Sequence, residues 1–130
     1  MADDQVSDVH VDSHVLATLR EVMEDEFALL LDTFLTDSDE RLRLLREAEA
    51  QDDASAMRMA AHSFKGSCSN MGALRLAELC NELEQRSKKR SLEGIEKLVG
   101  EIDGEFAIIR PLYEAERQRS LTDNATVRRF

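Results

Sequence analysis

The sequence predicts an all-α fold: an antiparallel up-down-up-down four-helix bundle with a short extra helix at its N-terminus. Three observations carry that expectation. One proline, Pro111, and five glycines are the only strong breakers in 130 residues, too little punctuation for a sheet protein with many turns. Apolar residues recur at three- and four-residue spacing over long stretches. The connections between those stretches are a few residues long, so consecutive helices pack as antiparallel neighbours. Hydrophobic residues make up 42% of the chain, but aromatics only 5% and Trp none, which calls for a core of Leu, Ile, Ala, Val and Met. A chain of this length makes one domain around one core.

Residues 1–11 show no periodicity and read as a flexible N-terminal arm. A short helix starts at Asp12 or Ser13, both N-cap types, and carries Val15, Leu16, Leu19 and Val22 at helical spacing. A longer one spans residues 25–51, with Phe27, Leu30, Leu31, Phe34, Leu42 and Leu45 on one stripe; "TDSDE" around Ser38 resembles an N-cap signal and allows a bend there. "QDDAS" caps a third helix over residues 53–70, which "NMG" closes at Gly72. The fourth covers residues 73–89, with Leu76, Leu79, Cys80 and Leu83 inward. Ser91 caps the fifth, residues 92–119, built on Ile95, Leu98, Ile102, Phe106, Ile109, Leu112 and Tyr113. Gly94, Gly100 and Gly104 weaken it, and Pro111 should bend or break it. The bundle thus spans residues 12–118, and residues 119–130 form a flexible C-terminal tail.

Charge narrows the function. Seventeen Lys and Arg against 27 Asp and Glu give a net charge of −10 and a pI near 4.7. So acidic a chain repels phosphate backbones and anionic lipids, which argues against nucleic acid and membrane as partners. Arg117, Arg119, Arg128 and Arg129 make the C-terminal end locally basic, but without interleaved aromatics they are a weak nucleic-acid signal. The first residues lack a basic segment followed by an apolar one, and no apolar run is long enough to span a bilayer, so the expected location is the cytoplasm. Cys68 and Cys80 lack metal-site or disulfide-framework spacing and read as small core residues.

The third helix holds the anomaly. With Met57 at zero and about 100° per residue, Ala60, Ala61, Phe64, Cys68 and Met71 fall within roughly 60° and define the buried stripe. His62 lies about 140° away and Gly66 about 180°, with Arg58, Lys65 and Ser69 on the flank and Ser55 and Met59 bordering the outward pole. A solvated surface His or Lys is ordinary. A glycine in a helix interior costs about 1 kcal/mol relative to Ala, and on the wet face no internal neighbour needs the room. A nucleophile at i, a cation at i+3 and no side chain at i+4 suit an anionic group delivered by a partner, and Met59 offers an adaptable apolar contact.

"AAHSFKGSCSNMGALRLAELCNELE" resembles the histidine-containing phosphotransfer (HPt) domain of bacterial two-component phosphorelays. His62, Phe64, Lys65, Gly66, Ser67, Met71 and Gly72 meet its core pattern, and Cys80, Leu83 and Glu84 follow at the family's spacing. The resemblance implies a phosphocarrier rather than an enzyme. His62 would accept a phosphoryl group from the receiver-domain aspartate of a hybrid sensor kinase and pass it to the receiver aspartate of a response regulator. By the same resemblance Glu84 would orient the imidazole and fix its tautomer, Lys65 would offset the phosphoryl charge, and Gly66 would let the receiver's loops approach. Lys88 matches a basic position some members use; with Met59, Arg58, Ser55 and Ser69 it is a candidate docking residue. No cofactor or metal is implied for this chain, Mg²⁺ belonging to the receiver, and short lone members of the family are commonly monomeric. Three rivals stand beside this reading: a substrate domain phosphorylated directly by an ATP-dependent histidine kinase, a non-catalytic interaction bundle, and a metal site on His10 and His14 at i, i+4.

Overall fold

Asp12 caps the first helix: its carboxylate accepts hydrogen bonds from the backbone N–H groups of His14 and Val15. The computed structural model describes residues 10–128, with side chains described through residue 123. Helix α1 is Ser13–Met23; a 3₁₀ turn, Glu24–Glu26, leads into α2, Phe27–Ala50. Then come α3, Ala54–Asn70, α4, Leu74–Lys88, and α5, Ile95–Arg128. No strand occurs among the described residues.

Helix α2 packs on α3 and α5, and α4 also packs on α3 and α5, so α3 and α5 stand at opposite corners of the bundle. Its centre is filled by Phe27, Leu31, Leu45, Met57, Phe64, Leu76, Leu83, Ile102, Ile109 and Tyr113, all fully buried. The Tyr113 ring lies 5.0 Å from that of Phe34, and its hydroxyl donates to the carbonyl of Met71 at 2.6 Å. Burial pushes the Tyr113 hydroxyl well above the usual phenol range, so it stays a donor. Antiparallel register between α2 and α5 shows in three surface ion pairs, Asp32–Arg117, Asp39–Arg110 and Arg46–Asp103. They are spaced seven residues apart on both helices, the repeat of coiled-coil-like packing.

Two turns fix the site-bearing hairpin. Between α2 and α3, Asp53 accepts from the N–H of Ala56 as an N-cap. Between α3 and α4, Gly72 has φ +76°, and a Cβ there would lie 3.0 Å from Val15 Cβ and 3.1 Å from the Asp12 carbonyl oxygen. The Asp12 N–H donates to the Gly72 carbonyl at 2.8 Å. The chain ahead of α1 is therefore strapped directly over this turn, and both backbone conformation and contact require glycine.

Several boundaries differ from expectation. The N-terminal arm does not extend to residue 11: Val11 is buried, and His10 Nδ1 lies 2.6 Å from Glu105 Oε2 on α5. The rest of the arm, residues 1–9, lies outside the described residues. Helix α5 does not end at residue 119 but continues to Arg128 with Ser120 buried, so the expected tail is helical over residues 119–128; residues 129–130 lie outside the described residues. The helix also runs unbroken past Pro111. The carbonyl of Ala107, deprived of its partner there, belongs to an exposed residue and can bond water. Helix α2 likewise continues through Ser38 without a break. Val22 and Leu112, expected inward, are exposed at 72% and 38%. Only Leu16 of α1 is buried, and on α5 Ile109 and Tyr113 take the inward positions beside Leu112.

Candidate functional site

The turn at Gly72 folds α3 and α4 into a hairpin that brings His62 level with Glu84. The His62 side chain is 68% exposed, whereas the Glu84 side chain is 4% exposed, and the two meet with Nδ1 and Oε2 2.9 Å apart. Lys65, one turn after His62, brings Nζ to 2.7 Å from the other carboxylate oxygen, Oε1. This is an ion contact whose direction falls outside good hydrogen-bond geometry, since Oε1 has no directed donor. Lys65 also donates to Asn81 Oδ1 at 3.4 Å. Lys88 stands 3.7 Å from Glu84 Oε2, one turn further along α4.

Electrostatics fix the charge on Glu84. The Lys65 ammonium holds the Glu84 carboxyl below its ordinary range; burial opposes this, and the bond to His62 adds to the lowering. At neutral pH Glu84 is thus a carboxylate, an acceptor only. His62 Nδ1–H must then donate to it, so the neutral form of the ring carries its lone pair on Nε2, on the exposed side. Nothing inside the chain requires glycine at position 66, where a Cβ would meet nothing within 4 Å. A neutral imidazole with a fixed tautomer, a cation beside it and bare backbone one turn away can attack an electrophilic phosphorus presented by a large partner.

On the other flank of His62, Arg41 of α2 donates through Nε to Ser63 Oγ at 3.0 Å. It stands at one end of an open groove of about 590 Å³ between α2 and α3, floored by Leu44, Ala48, Ala56, Met59 and Ala60 and edged by Asp37, Glu40, Glu47 and Asp53. Met59, 64% exposed, is therefore part of a defined apolar surface. Ser55, Arg58 and Ser69 are exposed on α3 as expected, but among the described contacts none bonds to His62, Lys65 or Glu84. Sequence reasoning missed Asn81, Arg41 and Leu44. Asn81 could have been found, since it shares the face of α4 that carries Glu84 and Lys88. Arg41 and Leu44 depend on how α2 registers against α3.

The remaining candidates lie elsewhere. Cys68 and Cys80 are buried free thiols, and burial pushes Cys68 far above the usual thiol range, which makes it inert. His10 contacts Glu105, His14 is exposed, and no cluster of three metal-ligating side chains occurs among the described residues. No described helix is long and apolar enough to cross a membrane.

Comparison with known proteins agrees with this geometry. The family model of the Hpt domain matches residues 29–110, which include His62, Lys65, Gly66, Glu84 and Lys88. Among solved structures, the crystal structure of histidine-containing phosphotransfer protein B (HptB) from Pseudomonas aeruginosa PAO1 is similar, with 53% sequence identity and a TM-score of 0.83. The match covers 85% of this chain and 96% of that one. No curated protein matches the chain. A domain model that spans well over half of the sequence, together with an exposed histidine held by a buried glutamate, shows that the chain belongs to the Hpt domain family of histidine phosphotransfer proteins.

Proposed function

We propose that the protein is a phosphocarrier between two receiver domains, taking a phosphoryl group from a hybrid sensor kinase and delivering it to a response regulator. His62 Nε2 attacks the phosphorus of the donor's aspartyl phosphate. An N–P bond forms, the P–O bond to the aspartate breaks, and the carboxylate leaves with the electron pair. The Nδ1 proton stays in its hydrogen bond to Glu84, which balances the positive charge that develops on the ring. Lys65 lies where it can offset the phosphoryl charge, and Lys88 adds a second cation. Transfer to the acceptor reverses these steps. Little covalent work falls to the protein, because positioning and charge do most of it. The Mg²⁺ that neutralises the phosphoryl oxygens is the receiver's own, and the cytoplasm, where receivers are phosphorylated, is the location this role requires.

The observation that carries the reading is the buried Glu84 carboxylate on Nδ1 of an otherwise exposed ring. The test is incubation with a phosphorylated receiver domain. Label is expected on His62, labile to acid and stable to base, and absent from His62→Gln. Label on another residue, or label that survives the substitution, would overturn the proposal. A protein that takes label only from a kinase and ATP would be the substrate domain of that kinase instead.

A further inference from the structure

Helix α5 presents to solvent a face that the bundle does not use. With Ile108 at zero and about 100° per residue, Gly100, Gly104, Pro111, Leu112 and Ala115 fall within about 80° of it, opposite the buried Ile102, Phe106 and Tyr113. All six are exposed, Ile108 at 49% and Leu112 at 38%. Between residues 100 and 115, Glu101 is the only exposed charged residue in that arc; Glu105, at about 60°, is buried against His10. In a chain whose residues are 34% charged, an outer helix face four turns long would ordinarily be polar. The two glycines sharpen the point. Neither sits at positive φ, and a Cβ on either would meet nothing within 4 Å. Each costs about 1 kcal/mol relative to Ala, with no turn and no internal neighbour to require it.

We infer that this face is the contact between two copies of the chain, packed antiparallel about a two-fold axis that passes α5 near Arg110. Such an arrangement sets Ile108 of one copy against Leu112 of the second, twice by symmetry, and brings Gly104 opposite the second copy's Ala115, where bare backbone permits close approach. Glu101 then comes level with the second copy's Arg119, both lying about 20° from Ile108 on the helix. Lys97 comes level with the second copy's Asp123. Among the described residues Arg119 pairs within its own helix, with Glu116 at 3.0 Å, and its side chain is 55% exposed, so it can turn outward. The apolar centre flanked by charges that complement one another on reversal is the signature of an isologous contact. It selects a second copy over a foreign partner. Because α3 and α5 occupy opposite corners of the bundle, both His62 rings stay open, and the monomer expected from the family resemblance gives way to a back-to-back dimer.

Sedimentation of the full chain from about 1 μM to about 1 mM tests this. A concentration-dependent dimer is expected, with Ile108→Glu, and independently Leu112→Glu, raising its dissociation constant at least tenfold while helicity and label on His62 stay unchanged. Glu101→Arg should weaken the dimer, and adding Arg119→Glu should restore it. Pro111→Cys, beside the axis, should give an intermolecular disulfide under oxidised glutathione that Ile108→Glu abolishes. A wild-type chain that stays monomeric to about 1 mM, a dimer indifferent to Ile108→Glu, or a charge swap that fails to restore association would overturn the inference.

Discussion

Glu84 Oε2 lies 2.9 Å from His62 Nδ1, a buried carboxylate gripping a ring that is otherwise in water. In the proposed mechanism the pairing decides which nitrogen reacts. Glu84→Gln keeps an acceptor for Nδ1–H and should slow transfer only modestly. Glu84→Ala leaves the tautomer unfixed and should lower the rate by about 10- to 100-fold. Rapid-quench measurement of label on His62 checks both, and an Ala variant as fast as the wild type would remove the orienting role.

Gly66 and Gly72 should respond to alanine in opposite ways. Nothing lies within 4 Å of a Cβ at Gly66, so Gly66→Ala should stabilise the free protein by about 0.5–1 kcal/mol while slowing transfer from a receiver. Gly72→Ala meets both a positive φ and contacts at 3.0 and 3.1 Å, and should destabilise by about 1–3 kcal/mol. Urea unfolding of the two variants gives the signs directly.

Acid should act on the fold through Glu84. Its folded-state pKa lies below the ordinary 4.5, so the folded protein binds its proton less readily than the unfolded chain does. The resulting stability is present above pH 4.5 and is lost as the pH falls from there through the folded-state value. Between neutral pH and pH 4.5 this group should contribute no slope. Urea midpoints taken below that point should fall less steeply with pH for Glu84→Gln than for the wild type; parallel slopes would show that the carboxylate is not held by its partners.

The groove between α2 and α3 should matter to the partner and not to the chemistry. Met59→Glu or Leu44→Glu should raise the receiver concentration needed for half-maximal transfer by about tenfold, a cost near 1.4 kcal/mol. Both residues are exposed, so the fold should tolerate either change. Phosphoramidate, a donor too small to touch the groove, should label His62 at the wild-type rate in both variants. Equal loss with both donors would place the damage at His62 itself.

Most of what depends on local periodicity was legible in the sequence, Val22 and Leu112 excepted. The wet face of α3, with His62, Gly66 and Met59, follows from 100° steps alone, and Glu84 follows from the motif. What depends on register between helices was not legible. Arg41 reaches Ser63 from 22 positions away, and His10 meets Glu105 across 95; no spacing rule encodes either. The end of α5 was missed for a subtler reason. Phe106, Tyr113 and Ser120 are spaced by seven and all buried, but a serine in the third position ends the visible apolar stripe although the helix continues.

His62, Lys65, Asn81, Glu84 and Lys88 all lie within one helical hairpin, residues 62–88, whereas the ion pairs of α2 with α5 join residues 57 to 85 positions apart. Contacts that close short loops form cheaply and early, and those that close long loops form late. The reacting hairpin is therefore the part of the chain best placed to assemble first. The α2–α5 pairing then acts as the closing seam, and partial opening of that seam would expose the core while leaving the pair of His62 and Glu84 in place.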